Sequence, residues 1–290
     1  MIKAGIFLDM ENLSRCGGWG MNVDVVRRLV EIQGATVIRA NAYMAIDEER
    51  ERNPEQREYA RKKEGFREAL RRNGFHVVLK SLRRFQNADG STSLKANADI
   101  ELAVDALLQS QQLDYILLGT GDGDFIRLVR ALQNRGKRVD CLGFSFVSGE
   151  LRREVDYFFN GYLVPGLLEC KGPPGSERHR GYMHAVDEER GFAFLTYATG
   201  HKHGEEDSSL FLHIRDLEGG RMNNEEFAYL CRRRDTYIEF EIDRSGEKLR
   251  AHRASLFMAP GAEPLRPREK DEQAGGESAP AAETPPDGES

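Results

Sequence analysis

The stretch DYILLGTGDGDF, residues 114–125, decides the fold. Tyr115 to Leu118 is an unbroken apolar run bounded by turn residues, and it reads as a strand buried on both faces. Two aspartates, Asp122 and Asp124, follow at once with one glycine between them. Outward from this point the same rhythm recurs. Strand-like runs at 3–8, 36–45, 75–85 and 138–143 alternate with helical spacing at 22–32, before Asn73-Gly74, at 98–110, at 125–133 and at 148–160. Strands alternating with helices predict an α/β domain built on a mostly parallel sheet flanked by helices.

The break comes at KGPPGSERHRG, residues 171–181, where prolines and glycines stiffen a linker or turn. Beyond it lie five strand-like pieces, GYMHAV, GFAFLTYA, SLFLHI, TYIEFEI and LRAHRASLFM, with one helical interruption around 222–233. Five short strands in so small a span suit a small β-barrel. The expected limits are 1–168 for the first domain, 169–179 for the linker and 180–258 for the barrel. Residues 259–290, rich in Pro, Gly, Ala, Ser and Glu, read as a disordered tail.

Composition narrows the partners. The chain has 290 residues and a formal net charge of -6 with 31% charged residues, so a nucleic-acid surface has to be a local patch. Four cysteines without a CxxC pair argue against a thiolate zinc site and a secreted disulfide framework. No apolar run approaches the ~18 residues of a membrane span, and IKAGIFLDM opens the chain as a strand rather than a signal segment. The expectation is a cytoplasmic protein with no membrane partner.

Ligands of open parallel sheets bind beyond the C-terminal ends of the strands. Asp9 ends the first strand, Asp122 and Asp124 follow the strand at 114–118, and LKANADIELAVDAL places Asp99 at a helix start with Asp105 six residues on. Six helical residues are about 9 Å of rise, so Asp105 takes a margin or supporting position while Asp99 joins the centre. Carboxylates crowded together call for a divalent cation, and hard oxygen ligands suit Mg²⁺ or Mn²⁺. Asn12 would orient a carboxylate or water, Thr120 would act similarly, and Lys95 would touch substrate phosphate. A strand-end Asp is also what a cap or turn requires; Asp124, for one, could cap a helix beginning at Phe125.

GIFLDMENL, LKANADIELAVDAL and DYILLGTGDGDFIRLVRALQNRGKRV, in that order, resemble the NYN family of PIN-like nucleases over residues 3–165. The resemblance implies a PIN-like fold and, for many members, metal-dependent cleavage of RNA, while other members only bind it. Carried onto this chain it assigns Asp9, Asp99, Asp122 and Asp124 as metal-binding, catalytic acids, with Asn12 and Asp105 as accessories. The usual small residue before the middle acid is here Ala98, and Thr120 and Gly123 stand at the common serine positions.

In the barrel, Phe192 and Phe194 alternate on one strand and Phe211 and His213 on another. If those strands are neighbours they offer a stacking platform for single-stranded bases; the alternative is that one phenylalanine face is barrel core. The segment 178–258 resembles a divergent cold-shock domain, an OB-like fold that binds single-stranded nucleic acid. GFAF and LFLH stand at that family's aromatic motifs, Ala185 replaces a tryptophan, and the loop TYATGHKHGEEDSS is longer than usual. Arg232 and Arg233 would add phosphate contacts.

The expectation that follows is a metal-dependent ribonuclease acting on single-stranded RNA and assisted by the barrel. The alternatives are a non-catalytic RNA-binding regulatory adaptor, whose acids would be capping groups, and a metal-dependent nucleotide or sugar phosphatase. A homodimer through the edge or helices of the first domain is left open.

Overall fold

Alternation along the first strand sets up the layers. In β1 (Ile2–Asp9) Ala4, Ile6 and Leu8 face one way and Phe7 the other, and all four are buried, as a strand covered on both sides requires. In this computed structural model the described residues are 1–86, 92–95, 98–173, 175–219, 222–246 and 248–262, with the side chains of 83–86 and 92–95 outside the description.

The chain continues through α1 (Met10–Leu13), a π-helical turn at Ser14–Gly18, α2 (Val23–Glu31), β2 (Ala35–Ile46), α3 (Glu48–Arg52), α4 (Arg57–Arg72) and β3 (His76–Ser81). A hairpin of β4 (Arg83–Gln86) and β5 (Thr92–Lys95) precedes α5 (Asp99–Gln109), β6 (Tyr115–Gly119), α6 (Ile126–Gln133), β7 (Arg138–Gly143), α7 (Gly149–Glu154) and β8 (Tyr157–Asn160). The strands pair in parallel in the order β3-β2-β1-β6-β7-β8, with the hairpin forming a small sheet of its own. Val26, Leu29 and Val30 of α2 and Leu70 of α4 cover one face; Leu102 and Ala106 of α5 and Leu128, Val129 and Leu132 of α6 cover the other. The expected PIN-like α/β layers are therefore present.

Two local expectations are corrected. The helix read over 148–160 stops at Glu154, because Val155 turns extended and the aromatic run Tyr157-Phe158-Phe159 pairs with β7 as an edge strand. The strand read over 75–85 ends at Ser81, and its last residues belong to the hairpin.

The second unit is a closed barrel in the order β10-β11-β13-β12-β9, formed by β9 (His179–Asp187), β10 (Phe192–Ala198), β11 (Glu206–His213), β12 (Thr236–Asp243) and β13 (Arg250–Met258). This is the expected OB-like barrel. The helical interruption is α8 (Asn224–Cys231), started by a reciprocal capping box between Asn223 and Glu226. The tail read as disordered falls on residues 259–290, of which 263–290 lie outside the described residues.

The two units share packed surface. Tyr162 sits 5.0 Å from Tyr237 and 5.6 Å from Phe257, ring centre to ring centre, and Asn160 Nδ2 donates to the Tyr237 hydroxyl at 3.0 Å. Arg180 is buried; it pairs with Glu239 and donates to the carbonyls of Tyr162 and Glu169. The long β10–β11 loop reaches back to the parallel sheet. His203 packs 4.3 Å from the Tyr157 ring, and its Nε2 lies 2.8 Å from Oδ2 of the fully buried Asp140. Arg138, which can only donate, lies 3.0 Å from His203 Nδ1, so the proton of the neutral ring belongs on Nε2. Tyr115 also donates its hydroxyl to Asp140, at 2.6 Å.

Candidate functional site

β1 and β6 end side by side, Leu8 opposite Gly119. A Cβ at Gly119 would stand 2.5 Å from Leu8 Cδ2 and 3.0 Å from Leu13 Cδ1, so the glycine leaves the room that these two buried leucines fill. Parallel pairing thus brings Asp9 and the 120–124 turn to one rim, as the topology predicted.

What the side chains do there is different from the expectation. Asp9 Oδ1 accepts the Asn12 N–H at 3.0 Å and caps α1. Asn12 Oδ1 in turn accepts the Gly121 N–H at 2.8 Å, which joins the two strand-end loops. Asp122 Oδ1 accepts the Asp124 N–H at 2.9 Å and caps the turn Gly123–Phe125, so the cap is Asp122 and the α-helix begins at Ile126. Thr120 is buried and its Oγ1 accepts the Asp122 N–H at 3.2 Å. Asp105 accepts the Tyr43 hydroxyl at 2.9 Å, and Tyr43 stands opposite Asp9 in the β1–β2 pairing. Asp124 is exposed. Lys95 falls in β5, and its side chain lies outside the described residues.

Electrostatics still couple the acids. Asp9, 8% exposed, is pushed from an ordinary 3.8 to about 6, first by burial and then by Asp99, Glu11 and Asp122, against the lowering effect of the Asn12 N–H. These groups are close enough to repel one another, yet among the described residues no three His, Cys, Asp or Glu side chains converge into a group that could hold a metal ion. Repulsion acts over many ångströms, whereas coordination requires oxygens about 2 Å from a shared point.

The metal assignment of Asp9, Asp99, Asp122 and Asp124 is therefore corrected, and with it Mg²⁺ or Mn²⁺ as cofactor. The metal-dependent ribonuclease or hydrolase reading goes too, and the phosphatase reading needs the same missing group. The side chains do not converge on an ion: Asp9 and Asp122 each commit a carboxylate oxygen to a backbone N–H as caps.

Two contributors were missed. Glu11 Oε1 accepts the Ala45 N–H at 3.2 Å and tethers α1 to β2; its signal was its place in the DMEN run. Ser148 donates its backbone N–H to the Gly121 carbonyl at 2.9 Å, and its Oγ would lie 2.9 Å from a Cβ at Gly123. A serine at 123 would require Ser148 to shift, and nothing local in the sequence announces the distant Ser148.

On the barrel, β10 and β11 are antiparallel neighbours with Phe194 opposite Phe211 and Phe192 opposite His213. Ala193, Leu195, Leu210 and Leu212 point inward to the barrel core, which leaves the aromatic residues on the outer face, half-buried. The Phe192 and Phe211 rings lie 5.4 Å apart and tilted by 33°, with Phe194 6.2 Å from Phe211 and 5.9 Å from Phe192. Ala185 stands beside Phe194 and is exposed. His213 Nδ1 accepts the Arg215 N–H at 3.1 Å and so caps a turn. Arg233 forms a two-pronged pair with Asp235, while Arg232 ends α8 and is exposed.

Comparison with known proteins bears on the first unit. The sequence pattern of the family described as NYN domain matches residues 3–166. "Low amplitude and bright protein LabA" of Synechococcus elongatus is 31% identical over 108 residues, 36% of this chain and 58% of that protein. The chain thus spans a little over half the length of this curated relative. Among solved structures, a protein of unknown function, VPA0982, from Vibrio parahaemolyticus is 28% identical, covering 55% of this chain and 92% of that one with a TM-score of 0.43. Among the described residues no helix is long and apolar enough to cross a membrane.

Proposed function

We propose, from the premise that this chain belongs to the NYN domain family, that it is a non-catalytic RNA-binding adaptor that holds single-stranded RNA on the outer face of its barrel. The observation that carries this reading is the Phe192, Phe194 and Phe211 cluster, three rings turned out of the barrel core on adjacent strands. A protein that needed these rings only for packing would bury them with Leu195 and Leu212. Bases stack on such rings without sequence demands. Arg232, exposed at the end of α8, supports phosphate contact, and Arg233 is held by Asp235. The limits 1–168, 169–179 and 180–258 are the division this reading uses. Four unpaired cysteines favour a cytoplasmic setting.

Self-association has its own support. Ile100, Val104 and Leu108 recur at four-residue steps along α5 and are all exposed, a strip that two copies would bury against each other about a two-fold axis. Light scattering of Val104→Lys should show a smaller particle than the parent; an unchanged mass removes this contact.

The main test is fluorescence anisotropy with an end-labelled single-stranded RNA. Phe192→Ala with Phe211→Ala should weaken binding by at least about tenfold, since each stacked base is worth about 1–3 kcal/mol. The RNA should be recovered at full length after incubation with Mg²⁺ or Mn²⁺. Unchanged affinity would remove the stacking claim, and metal-dependent shortening that Asp9→Asn abolishes would remove the non-catalytic one.

A further inference from the structure

The π-helical turn Ser14–Gly18 is a local departure from regular helix, and Gly17 inside it takes φ 109°, a conformation that a side chain would resist. The turn leads directly to Trp19, the chain's single tryptophan, which is 63% exposed. Water-facing tryptophan of this extent forgoes much of the burial that its large ring normally supplies.

Its neighbours come from α4, and α3 adds a cation one ring further on. Trp19 lies 6.2 Å from the Phe66 ring, tilted by 33°. Lys63 Nζ sits 5.5 Å from the Trp19 ring centre and 5.8 Å from that of Tyr59. The Arg50 guanidinium lies 4.0 Å over Tyr59. Rings and cations therefore alternate along one surface: Arg50, Tyr59, Lys63, Trp19.

The cationic excess of this surface belongs to α4, while α3 and its flanks, residues 47–55, carry five acids against two arginines. α4, REYARKKEGFREALRR, carries seven Arg or Lys against three Glu. Four of the acids close by are matched: Glu58 by Lys62, Glu64 by Arg67 and Arg71, Glu51 by Arg67 and Glu48 by Arg52. Among the described residues neither Arg50 nor Lys63 forms an ion pair with a carboxylate within 4.0 Å, so the cations over the rings remain available to a phosphate oxygen.

We propose that Trp19, Tyr59, Lys63 and Arg50 form a second binding site for single-stranded nucleic acid, on the parallel-sheet domain, with Trp19 stacking a base and the two cations holding flanking phosphates. An aromatic face beside a cation that tracks the backbone is the combination by which single strands are held. An acidic peptide would also satisfy the cations, but a single strand uses both features at once, a base on the Trp19 ring and phosphates on the cations beside it. This proposal rests on the RNA-binding reading and extends it to a strand that contacts both units, which would raise the avidity of the whole chain.

The experiment uses the full chain and an oligouridylate of about 12 nucleotides, within the span a single-strand site covers. With one tryptophan in the molecule, its emission reports this site alone, while anisotropy of the labelled oligonucleotide reports total binding. Saturable quenching is expected, and it should persist, at higher RNA concentrations, in the Phe192→Ala, Phe211→Ala protein. By anisotropy, Trp19→Ala and the Lys63→Ala, Arg50→Ala pair should each weaken binding by about fivefold or more. Circular dichroism checks that these surface variants fold. RNA that binds by anisotropy while Trp19 emission and the Trp19→Ala affinity stay unchanged overturns the second site and leaves the barrel reading standing. No binding by either readout overturns both.

Discussion

Replacing Asp9 by Asn should make this protein more stable, not less, and the gain should depend on pH. Asp9 is pushed from 3.8 to about 6 by burial and by Asp99, Glu11 and Asp122. Its proton is thus held more tightly in the folded state than in the unfolded one. A carboxyl with a raised folded value binds more protons when folded, so ionising it opposes folding as pH climbs through that window. About two pKa units at 1.36 kcal/mol each make the opposition about 3 kcal/mol at pH 7.5. At pH 5 the folded carboxyl is still protonated while the unfolded one is ionised only about one unit past its midpoint, so the opposition is about half as large.

Asn keeps an oxygen that can accept the Asn12 N–H, so the cap on α1 survives while the charge goes. Urea denaturation of the parent and Asp9→Asn proteins at the two pH values measures the difference directly. A gain of about 3 kcal/mol at pH 7.5, shrinking at pH 5, is the expected result. A loss of stability at pH 7.5, or a gain identical at both pH values, would refute the picture of crowded, repelling acids at the rim.

Three further outcomes follow from the contacts described. His203→Ala should loosen the β10–β11 loop, read as faster amide exchange over 199–205. Burial and Arg138 hold the His203 ring below its ordinary value against the pull of Asp140, so its neutral form favours folding; that contribution is present above about pH 6.5 and should fade as the pH falls below it. Arg180→Met should destabilise by about 3–5 kcal/mol in a denaturant titration, since it strands Glu239 in a buried position, and Arg180→Met with Glu239→Leu should recover much of the loss. Asn12→Ala removes the acceptor of the Gly121 N–H and should lower stability by about 1–3 kcal/mol in a denaturant titration.

The sheet was legible because its signals are local. A continuous apolar run such as Tyr115 to Leu118 has nowhere to go but the middle of a parallel sheet, and Phe192 and Phe194 alternate with Ala193 and Leu195 within a single strand. The edge strand Tyr157–Asn160 was misread as helix because its extended state depends on pairing with β7, a partner that sequence spacing does not reveal.

The acids divide the same way. That Asp9 and the 120–124 turn share one rim follows from strand order, which the alternation of elements largely dictates. Whether they converge on an ion or serve as caps is a matter of a few ångströms and of backbone N–H groups that compete for the same oxygens, and only the folded chain supplies those. The outward turn of the phenylalanine cluster likewise depended on β10 and β11 being neighbours, and the seating of His203 on Asp140 joins residues 63 positions apart from different units. Sequence by itself determined which residues prefer water and which avoid it; tertiary packing decided which polar atoms met, because hydrogen bonds and ion pairs act over distances shorter than any regularity the chain can encode along its length.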